Sequence, residues 1–524
     1  MRRKPNLLLL SPHFGPLLAA LAGIGCSASE MSGAYAFDSG TSEGSGAQDD
    51  GFGGDGDDGY VPEEPEAELA KPPAATPRYV FVANTSRNTV TRIDSTSLDV
   101  ITAPVGVGPT QVLVSENNAL AVVFNEDSDD LTLLDTESLS SRSVGLRPNL
   151  NTMEMSGDGA WVAAWHNGAL ADTSTGATSY NEVSLVNVAS GMHIPLIVGY
   201  NPRAVRFSAD GQRLLVVSDE VLSIIDLTEP EPEPVRVRIA LDTIDPPLAE
   251  ELVLTPDGQV AIIRQFGATE LVVVELATGA VGAIAVGDNP TDIDVTPDGS
   301  QAVAVARGSN ELWIYALDDI FAEPSVVVLP DAMPFGSIVM SPDNSRGLLY
   351  STASGVPAFA AWDRAAPEGE EIALYGLLKG ISGMTVSPDG AAALAIHPTN
   401  QNGDLRSDSP FYNRDAVTLI DMGDYFTNPI RLTAKPVELA STSDGALGFI
   451  TLEDTPSLLQ LDYSRLIHDE IPLSSAAAHL GVIPESQTVY VSQEHSLGRI
   501  SFYTPSTGQL QTITGFELNA AIER

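Results

Sequence analysis

Three observations predict that this 524-residue chain is an all-β protein, a β-propeller of four-stranded blades. A short turn, most often ending in Asp-Gly, recurs along the chain at steps of roughly 41 to 55 residues. Short apolar or alternating runs flank each turn, as expected for strands. No unit has room for a long amphipathic helix, and four short strands per unit of this length are typical of propeller blades.

The first element is a predicted signal peptide over residues 1–25. Arg2, Arg3 and Lys4 precede an apolar stretch that ends in small residues, which is the order of a secretory signal. Cys26, the one cysteine of the chain, follows directly. This arrangement resembles a bacterial lipoprotein signal, although Gly23 stands where that family usually has leucine. The resemblance implies lipidation of Cys26 and, from Ser27, sorting to the outer membrane; the alternative is an ordinary cleaved signal with a stray cysteine.

The second element, residues 26–78, is predicted to be a disordered tether. Residues 30–71 hold twelve acidic residues and one lysine, and Gly, Ser, Pro and Ala fill most of the rest. Without a sustained apolar period the segment cannot bury enough surface to offset the entropy of ordering. We therefore expect a self-repelling linker that holds a domain away from a membrane.

The third element, residues 79–524, is the predicted propeller. Asp-Gly and Asn-Asn suit the positive φ angles of tight hairpins. The recurring turns are Ser115–Asn118, Ser156–Gly159, Ser208–Gly211, Thr255–Gly258, Thr296–Gly299, Ser341–Asn344, Ser387–Gly390, Thr442–Gly445 and a degenerate copy at Pro484–Gln487. A Val-Gly pair followed by proline ends several of the units.

The first unit carries a family resemblance. Tyr79–Asn84, Asn88–Asp94 and Val105–Pro109 resemble the YVTN family of β-propeller repeats, the surface-layer and YncE-like group. The resemblance covers about residues 79–524 and implies the fold far more than any activity.

About ten second-strand starts favour a single ring of ten blades. Because Tyr79 begins at a second strand, the C-terminal strand, over Glu517–Ile522, is predicted to supply the missing inner strand and close the ring. Seven or eight blades, or two smaller rings, are the alternatives.

Two long loops are the candidate binding site. One runs from His166 to Tyr180 and Asn181, and the other from His397 to Tyr412 and Asn413. They lie five units apart and would face each other across the central channel, offering hydrogen bonds and stacking to a ligand. The alternative is a five-unit duplication that left similar loops, in which Tyr and Asn only anchor the chain.

Charge and missing motifs limit the function. The net charge is −44, of which residues 72–524 carry −36, from 58 acids and 22 bases. Such a field disfavours nucleic acid and favours cationic or metal-bridged partners. No motif indicates a catalytic residue, a metal site or a cofactor.

The first hypothesis is therefore a membrane-tethered, non-catalytic propeller of the cell envelope that binds a protein, a peptide or an envelope polymer. It is expected to be an outer-membrane lipoprotein facing the periplasm or the exterior. The alternative is a hydrolase, lactonase-type or oxidoreductase propeller enzyme with its site at the channel mouth, where Arg264 and Arg307 are placed.

Overall fold

The computed structural model describes residues 35–36, 74–168, 180–240, 249–255, 257–265, 267–330, 334–353, 356–367 and 369–518. Cys26, the signal peptide and most of the predicted tether lie outside the described residues. Within them, the fold is all β: ten four-stranded antiparallel sheets form the blades of a ring, so the ten-bladed prediction is confirmed. The described helices are two three-residue 3₁₀ turns, Thr85–Arg87 and Phe516–Leu518, and neither is long and apolar enough to cross a membrane.

Each blade takes its strands consecutively from the chain, and we label them A to D from the channel outwards. Blades 1 to 5 have strands Ala74–Ala75, Tyr79–Asn84, Thr89–Asp94 and Val100–Pro104; Pro109–Val114, Leu120–Asn125, Asp130–Asp135 and Ser141–Gly145; Thr152–Met155, Trp161–Trp165, Glu182–Asn187 and Met192–Ile197; Ala204–Phe207, Arg213–Val217, Val221–Asp226 and Pro234–Arg238; Ala249–Leu254, Val260–Gln265, Glu270–Glu275 and Ala280–Ala285.

Blades 6 to 10 repeat the pattern with strands Pro290–Val295, Gln301–Ala306, Glu311–Ala316 and Ser325–Val328; Ser337–Met340, Arg346–Tyr350, Ala358–Asp363 and Ile372–Gly376; Gly383–Val386, Ala392–His397, Ala416–Asp421 and Thr427–Arg431; Pro436–Ser441, Leu447–Leu452, Ser457–Asp462 and Ile467–Pro472; Ala477–Val482, Val489–Gln493, Arg499–Thr504 and Gln509–Thr514. A further two-residue strand, Tyr35–Ala36, pairs with strand A of blade 9.

The hydrophobic core lies between neighbouring blades. Strands B and C are buried on both faces, because each blade packs against two others, and they read as nearly continuous apolar runs such as Leu120–Asn125 and Ala392–His397. Strand D is mostly exposed and more polar. The core is therefore a series of interblade clusters rather than one central core.

The prediction for ring closure is wrong. Strand A of blade 1 is Ala74–Ala75, from the N-terminal side, and the described part of the C-terminal segment forms the 3₁₀ turn Phe516–Leu518 instead of a strand. Blades 1 and 10 meet through side chains: Val80 and Ile93 share one apolar cluster with Ile500 and Phe516.

The recurring turns are held by one repeated hydrogen-bond pattern between strands A and B. In blade 7, the Ser341 hydroxyl donates to Asp343 Oδ1 at 2.6 Å and accepts the Arg346 N–H at 3.0 Å, while the same Asp343 oxygen accepts the Ser345 N–H at 3.0 Å. These bonds, the Ser341 hydroxyl first among them, lower the pKa of Asp343. The carboxylate thus fixes the turn that the sequence repeats.

Neighbouring A strands are joined by a second repeated contact, which we call the inner-strand bridge. A polar side chain at the third position of one A strand accepts an N–H from the A strand of the next blade. The members are Gln111 to Met153 at 3.3 Å, Glu251 to Ile293 at 3.2 Å, Asp292 to Ile338 at 2.7 Å and Glu438 to Leu480 at 2.6 Å. In all four blades the A–B register shifts just before that residue, which turns its side chain toward the next blade.

Candidate functional site

The two ends of the ring differ in their connections. In an antiparallel A–B–C–D sheet, the A–B and C–D turns lie at one end, which we call the turn face. The B–C connections and the D–A connections between blades lie at the other, which we call the loop face. Both predicted long loops are B–C connections, so they lie on the loop face, in blades 3 and 8.

An aromatic shelf lies on the loop face of blade 3. Its three rings are those of His166, Tyr180 and Tyr200. The His166 ring meets Tyr180 edge-on, with centroids 5.5 Å apart and planes at 89°, and Tyr180 lies 6.0 Å from Tyr200 at 44°. Tyr180 is 43% exposed and Tyr200 is 65% exposed, whereas His166 is buried beneath them. Two tyrosine rings are therefore presented to solvent side by side.

The backbone holds the shelf in place. His166 follows strand B of blade 3 and its Nδ1 donates to the Asn149 carbonyl at 3.1 Å. The Tyr180 carbonyl accepts the Asn201 N–H at 2.7 Å, and the Asn181 carbonyl accepts the Val198 N–H at 2.9 Å. The B–C and D–A connections are thereby tied together, while residues 169–179 of the predicted loop lie outside the described residues.

An ion pair supports the chain next to Tyr200. Asp219 accepts from Arg203 Nε at 2.6 Å and from Asn201 Nδ2 at 3.1 Å, and its N–H donates to the Tyr200 carbonyl at 3.2 Å. These bonds anchor both sides of Tyr200, so the exposed ring projects from a fixed backbone.

His397, the counterpart of His166 in blade 8, is fully buried. Its Nδ1 donates to the Gly380 carbonyl at 2.9 Å and its Nε2 lies 2.7 Å from the Thr418 hydroxyl. Burial lowers the pKa of His397 to about 4, with the charge of Lys379 acting in the same direction. A neutral ring with Nδ1 protonated uses Nε2 to accept from Thr418, so both nitrogens are occupied within the protein.

The loop of blade 8 is closed at its base by a pair of asparagines. Asn402 Oδ1 accepts the Asn413 N–H at 2.7 Å and Asn402 Nδ2 donates to Asn413 Oδ1 at 2.6 Å. Asn413 has a positive φ of 50°, which asparagine tolerates better than most residues. Tyr412 is half-buried and its N–H donates to the Ser409 carbonyl at 3.1 Å. In blade 8 these residues shape the loop.

Lys379 is buried beneath the same loop. Its ammonium group donates to the Thr399 carbonyl at 3.3 Å and to the Arg414 carbonyl. Burial lowers the pKa of Lys379, and the negative charge of Asp415 partly opposes that change. Lysine thus links the two ends of the loop to the D–A connection, a role the sequence did not reveal.

The structure does not bring the two predicted groups together. They lie five blades apart in a ring of ten, and no described contact joins them. Among the described residues, no three His, Cys, Asp or Glu side chains are grouped as a metal would require. The acidic loop of blade 2 is occupied by internal bonds, since Asp129 accepts the Asn149 N–H at 3.0 Å and Asp130 accepts from Ser128 at 2.6 Å.

The channel wall contains the most perturbed carboxyl group. Burial raises the pKa of Asp292 well above its usual range, and the nearby charges of Asp294 and Glu251 raise it further. Glu251 is itself paired with Arg264 at 2.9 Å, and Arg264 donates to the Pro290 carbonyl at 3.3 Å. Arg264 therefore neutralises the wall instead of projecting freely at the channel mouth. The Arg307 N–H donates to the Asn289 carbonyl at 3.1 Å.

A carboxylate–imidazole pair lies on the opposite side of the channel wall. His479 Nδ1 donates to Glu438 Oε1 at 2.7 Å, and the Glu438 side chain is fully buried while that of His479 is one-third exposed. The contact fixes the tautomer that leaves the Nε2 lone pair available. No described residue forms a hydrogen bond with this Nε2.

No protein-family model and no curated protein sequence matches the chain. Solved structures resemble it at low identity. A eukaryotic initiation factor is 11% identical with a TM-score of 0.51, over 76% of this chain and 98% of that one. Dihydro-heme d1 dehydrogenase NirN in complex with DHE is 17% identical with a TM-score of 0.45, over 69% and 74%. A putative 6-phosphogluconolactonase from Bacteroides fragilis is 15% identical with a TM-score of 0.37, over 58% and 94%.

These likenesses show the fold alone. The chain is a ten-bladed β-propeller protein, and its structural neighbours are β-propellers with varied roles. What distinguishes this one is the aromatic shelf on its loop face and the polar side chains that bridge its inner strands.

Proposed function

We propose that this chain is a non-catalytic binding or scaffold module of the cell envelope, which holds a protein, a peptide or an envelope polymer on the loop face of its propeller. The observation that carries the proposal is the aromatic shelf. Two solvent-facing tyrosine rings on a fixed backbone offer large contact area at low entropic cost. Stacking on such rings and hydrogen bonds to their hydroxyls suit an extended chain of peptide or sugar.

The location in the cell is part of the proposal. The order of basic, apolar and small residues before Cys26 supports export and lipidation, and the acidic segment after it supports a tether. The chain would then be an outer-membrane lipoprotein carrying a YVTN-like propeller. Metabolic labelling with palmitate tests this: the wild type should be labelled and Cys26→Ser should not, and an unlabelled wild type would contradict lipidation.

Binding is tested with the double variant Tyr180→Ala/Tyr200→Ala. The probes are peptidoglycan sacculi, purified outer-membrane polysaccharide and a library of extended peptides. We expect at least about tenfold weaker binding of the best probe, because both stacking surfaces are lost. The control is Phe426→Ala, an equally exposed aromatic residue in a C–D turn on the turn face. Unchanged binding by the double variant, or no binding by any probe, would overturn the shelf as the site.

The second candidate is an enzyme of the hydrolase, lactonase or oxidoreductase type. The Glu438–His479 pair favours it, since a carboxylate that orients an imidazole is half of a general-base arrangement. A thermal-shift screen of lactones, esters and redox-active metabolites would find a substrate, and His479→Gln should abolish its turnover. Turnover unaffected by that change would exclude this pair as the catalytic base.

A further inference from the structure

The outer strands of blades 5, 6 and 7 form an uncharged arc on the rim of the ring. Their sequences, over Ala280–Ala285, Ser325–Val328 and Ile372–Gly376, contain neither a charged residue nor a proline. Each of the other seven outer strands contains a charged residue, a proline or, in blade 10, two glutamines. Charges and prolines are the usual protection of exposed edge strands, so these three adjacent edges lack it.

Apolar side chains are exposed along this arc. Val328 is 69% exposed, and Val326 and Phe321 are also exposed. Val326 lies opposite Trp313, which packs on the cluster between blades 5 and 6, so the two exposed valines face blade 5. Phe321 extends the same surface across to blade 5.

A glycine makes that extension possible. A Cβ atom at Gly282 would lie 3.0 Å from Phe321 Cε1, so the phenyl ring rests directly on the backbone of the outer strand of blade 5. On the other side, exposed Leu374 lies opposite Ala360, which belongs to the cluster between blades 6 and 7. The apolar surface is therefore continuous over three blades.

We propose that two copies of this chain associate through this arc, with Ser325–Val328 pairing antiparallel with its own copy about a two-fold axis. The outward edge of that strand pairs with no other strand among the described residues, so its backbone groups can continue the ladder. A ladder of four residues is too small alone, because a specific interface buries roughly 800 Å² per partner. The flanking outer strands and Phe321 supply the remaining apolar area.

Charge selects a second copy at this place. With −36 on residues 72–524, two copies repel each other wherever acidic surfaces meet. The arc lets two rims touch without apposed carboxylates at the contact, while the rest of the molecule still repels at long range. Salt screens that long-range term, since the Debye length falls from roughly 14 Å at 50 mM to about 4 Å at 0.5 M. Dimer formation should therefore strengthen with salt.

Sedimentation velocity of the full-length chain between 1 and 50 µM, at 50 mM and 0.5 M NaCl, tests this. We expect a monomer–dimer equilibrium that shifts to dimer at high salt. Val326→Lys/Val328→Lys should raise the dissociation constant at least about tenfold, because four lysines would meet across the axis. The control is Val235→Lys, a site 60% exposed on the outer strand of blade 4, which already carries Arg236 and Arg238.

Near-ultraviolet circular dichroism establishes that each variant is folded. A monomer at every concentration and both salt levels would overturn the proposal. So would a dimer of unchanged strength in the double-lysine variant. A monomer that instead binds phosphatidylcholine vesicles through the same two valines would assign the arc to a lipid surface and would likewise overturn it.

Discussion

Glu438 in blade 9 accepts the backbone N–H of Leu480 in blade 10 at 2.6 Å, so one buried carboxylate joins the inner strands of two blades. The inner edge of a propeller blade has no neighbouring strand to pair its N–H groups. A side chain from the preceding blade supplies the acceptor, and the same solution recurs in blades 2, 5 and 6. The channel wall is thus held by interblade hydrogen bonds as well as by packing.

Removing that carboxylate should weaken the joint between blades 9 and 10. Glu438→Ala is expected to lower the free energy of unfolding by about 3 kcal/mol, because it leaves a buried N–H without its acceptor and removes the partner of His479. Glu438→Gln retains an acceptor for Leu480 and should cost about 1 kcal/mol. Urea unfolding followed by tryptophan fluorescence measures both, and equal losses in the two variants would contradict this account.

Two glycines with the same backbone conformation separate steric from conformational cost. Gly445 has a φ of 70° and Gly508 a φ of 67°, but a Cβ at Gly445 would lie 2.5 Å from the Asp389 N atom, whereas one at Gly508 would have no neighbour within 4 Å. Gly508→Ala should cost about 1 kcal/mol from its positive φ alone. Gly445→Ala should cost about 3 kcal/mol, because overpacking is added. Similar thermal midpoints for the two variants would show that the turns do not pack this tightly.

His397 should make the protein less stable in acid. Its pKa is about 4 in the folded state and about 6.5 in the unfolded state, so the unfolded chain binds the extra proton between these values. Stability therefore rises with pH across this window and is lost as the pH falls from 6.5 toward 4, by about 3 kcal/mol in full.

The variant His397→Gln removes that titration. Its loss of stability between pH 7 and pH 4.5 should be smaller than that of the wild type by about 2 kcal/mol. Replacing the exposed His468 by Asn provides the control and should leave the pH dependence unchanged. Parallel curves for the wild type and His397→Gln would show that the buried ring is not responsible.

Lys379 should protect the loop of blade 8 from proteolysis. Arg406 in that loop has a side chain 84% exposed, so it is a ready trypsin site once the loop loosens. Lys379→Met removes both bonds to the loop carbonyls and should raise the rate of cleavage after Arg406 about tenfold. Lys435→Met makes the same chemical change outside this loop and should cleave at the wild-type rate. Equal rates in the two variants would mean that packing alone holds the loop.

The repeat architecture was accessible from the sequence because each blade repeats one local device, the hydroxyl–aspartate turn, at a regular spacing. The closing strand was mispredicted for local reasons too. Ala74–Ala75 is only two residues long and follows Pro72 and Pro73, while Glu517–Ile522 has the alternation of a strand. Which segment completes blade 1 depends on the ring, and no local pattern encodes that.

The candidate site was predicted in part. Three of its predicted residues, His166, Tyr180 and Asn181, lie at the shelf, but Tyr200 was missed because it lies in the Val-Gly connection that recurs between blades. The signal was present: the residue after Val-Gly is Val107 in one copy and Asp288 in another, and aromatic only at Tyr200. His166 and His397 looked equivalent in sequence, yet only the structure shows that His397 uses both ring nitrogens internally.

Because blades 1 and 10 each complete their own sheet, every blade of this ring is a self-contained unit of consecutive sequence. Duplicating or deleting one such unit leaves every remaining ladder intact and requires only that the ring reseal through side chains like those between Val80 and Phe516. A propeller stitched shut by a shared sheet would have to preserve that shared sheet through every such event. Self-contained blades therefore free the blade number to change, and ten blades can arise from a smaller ring by copying whole units.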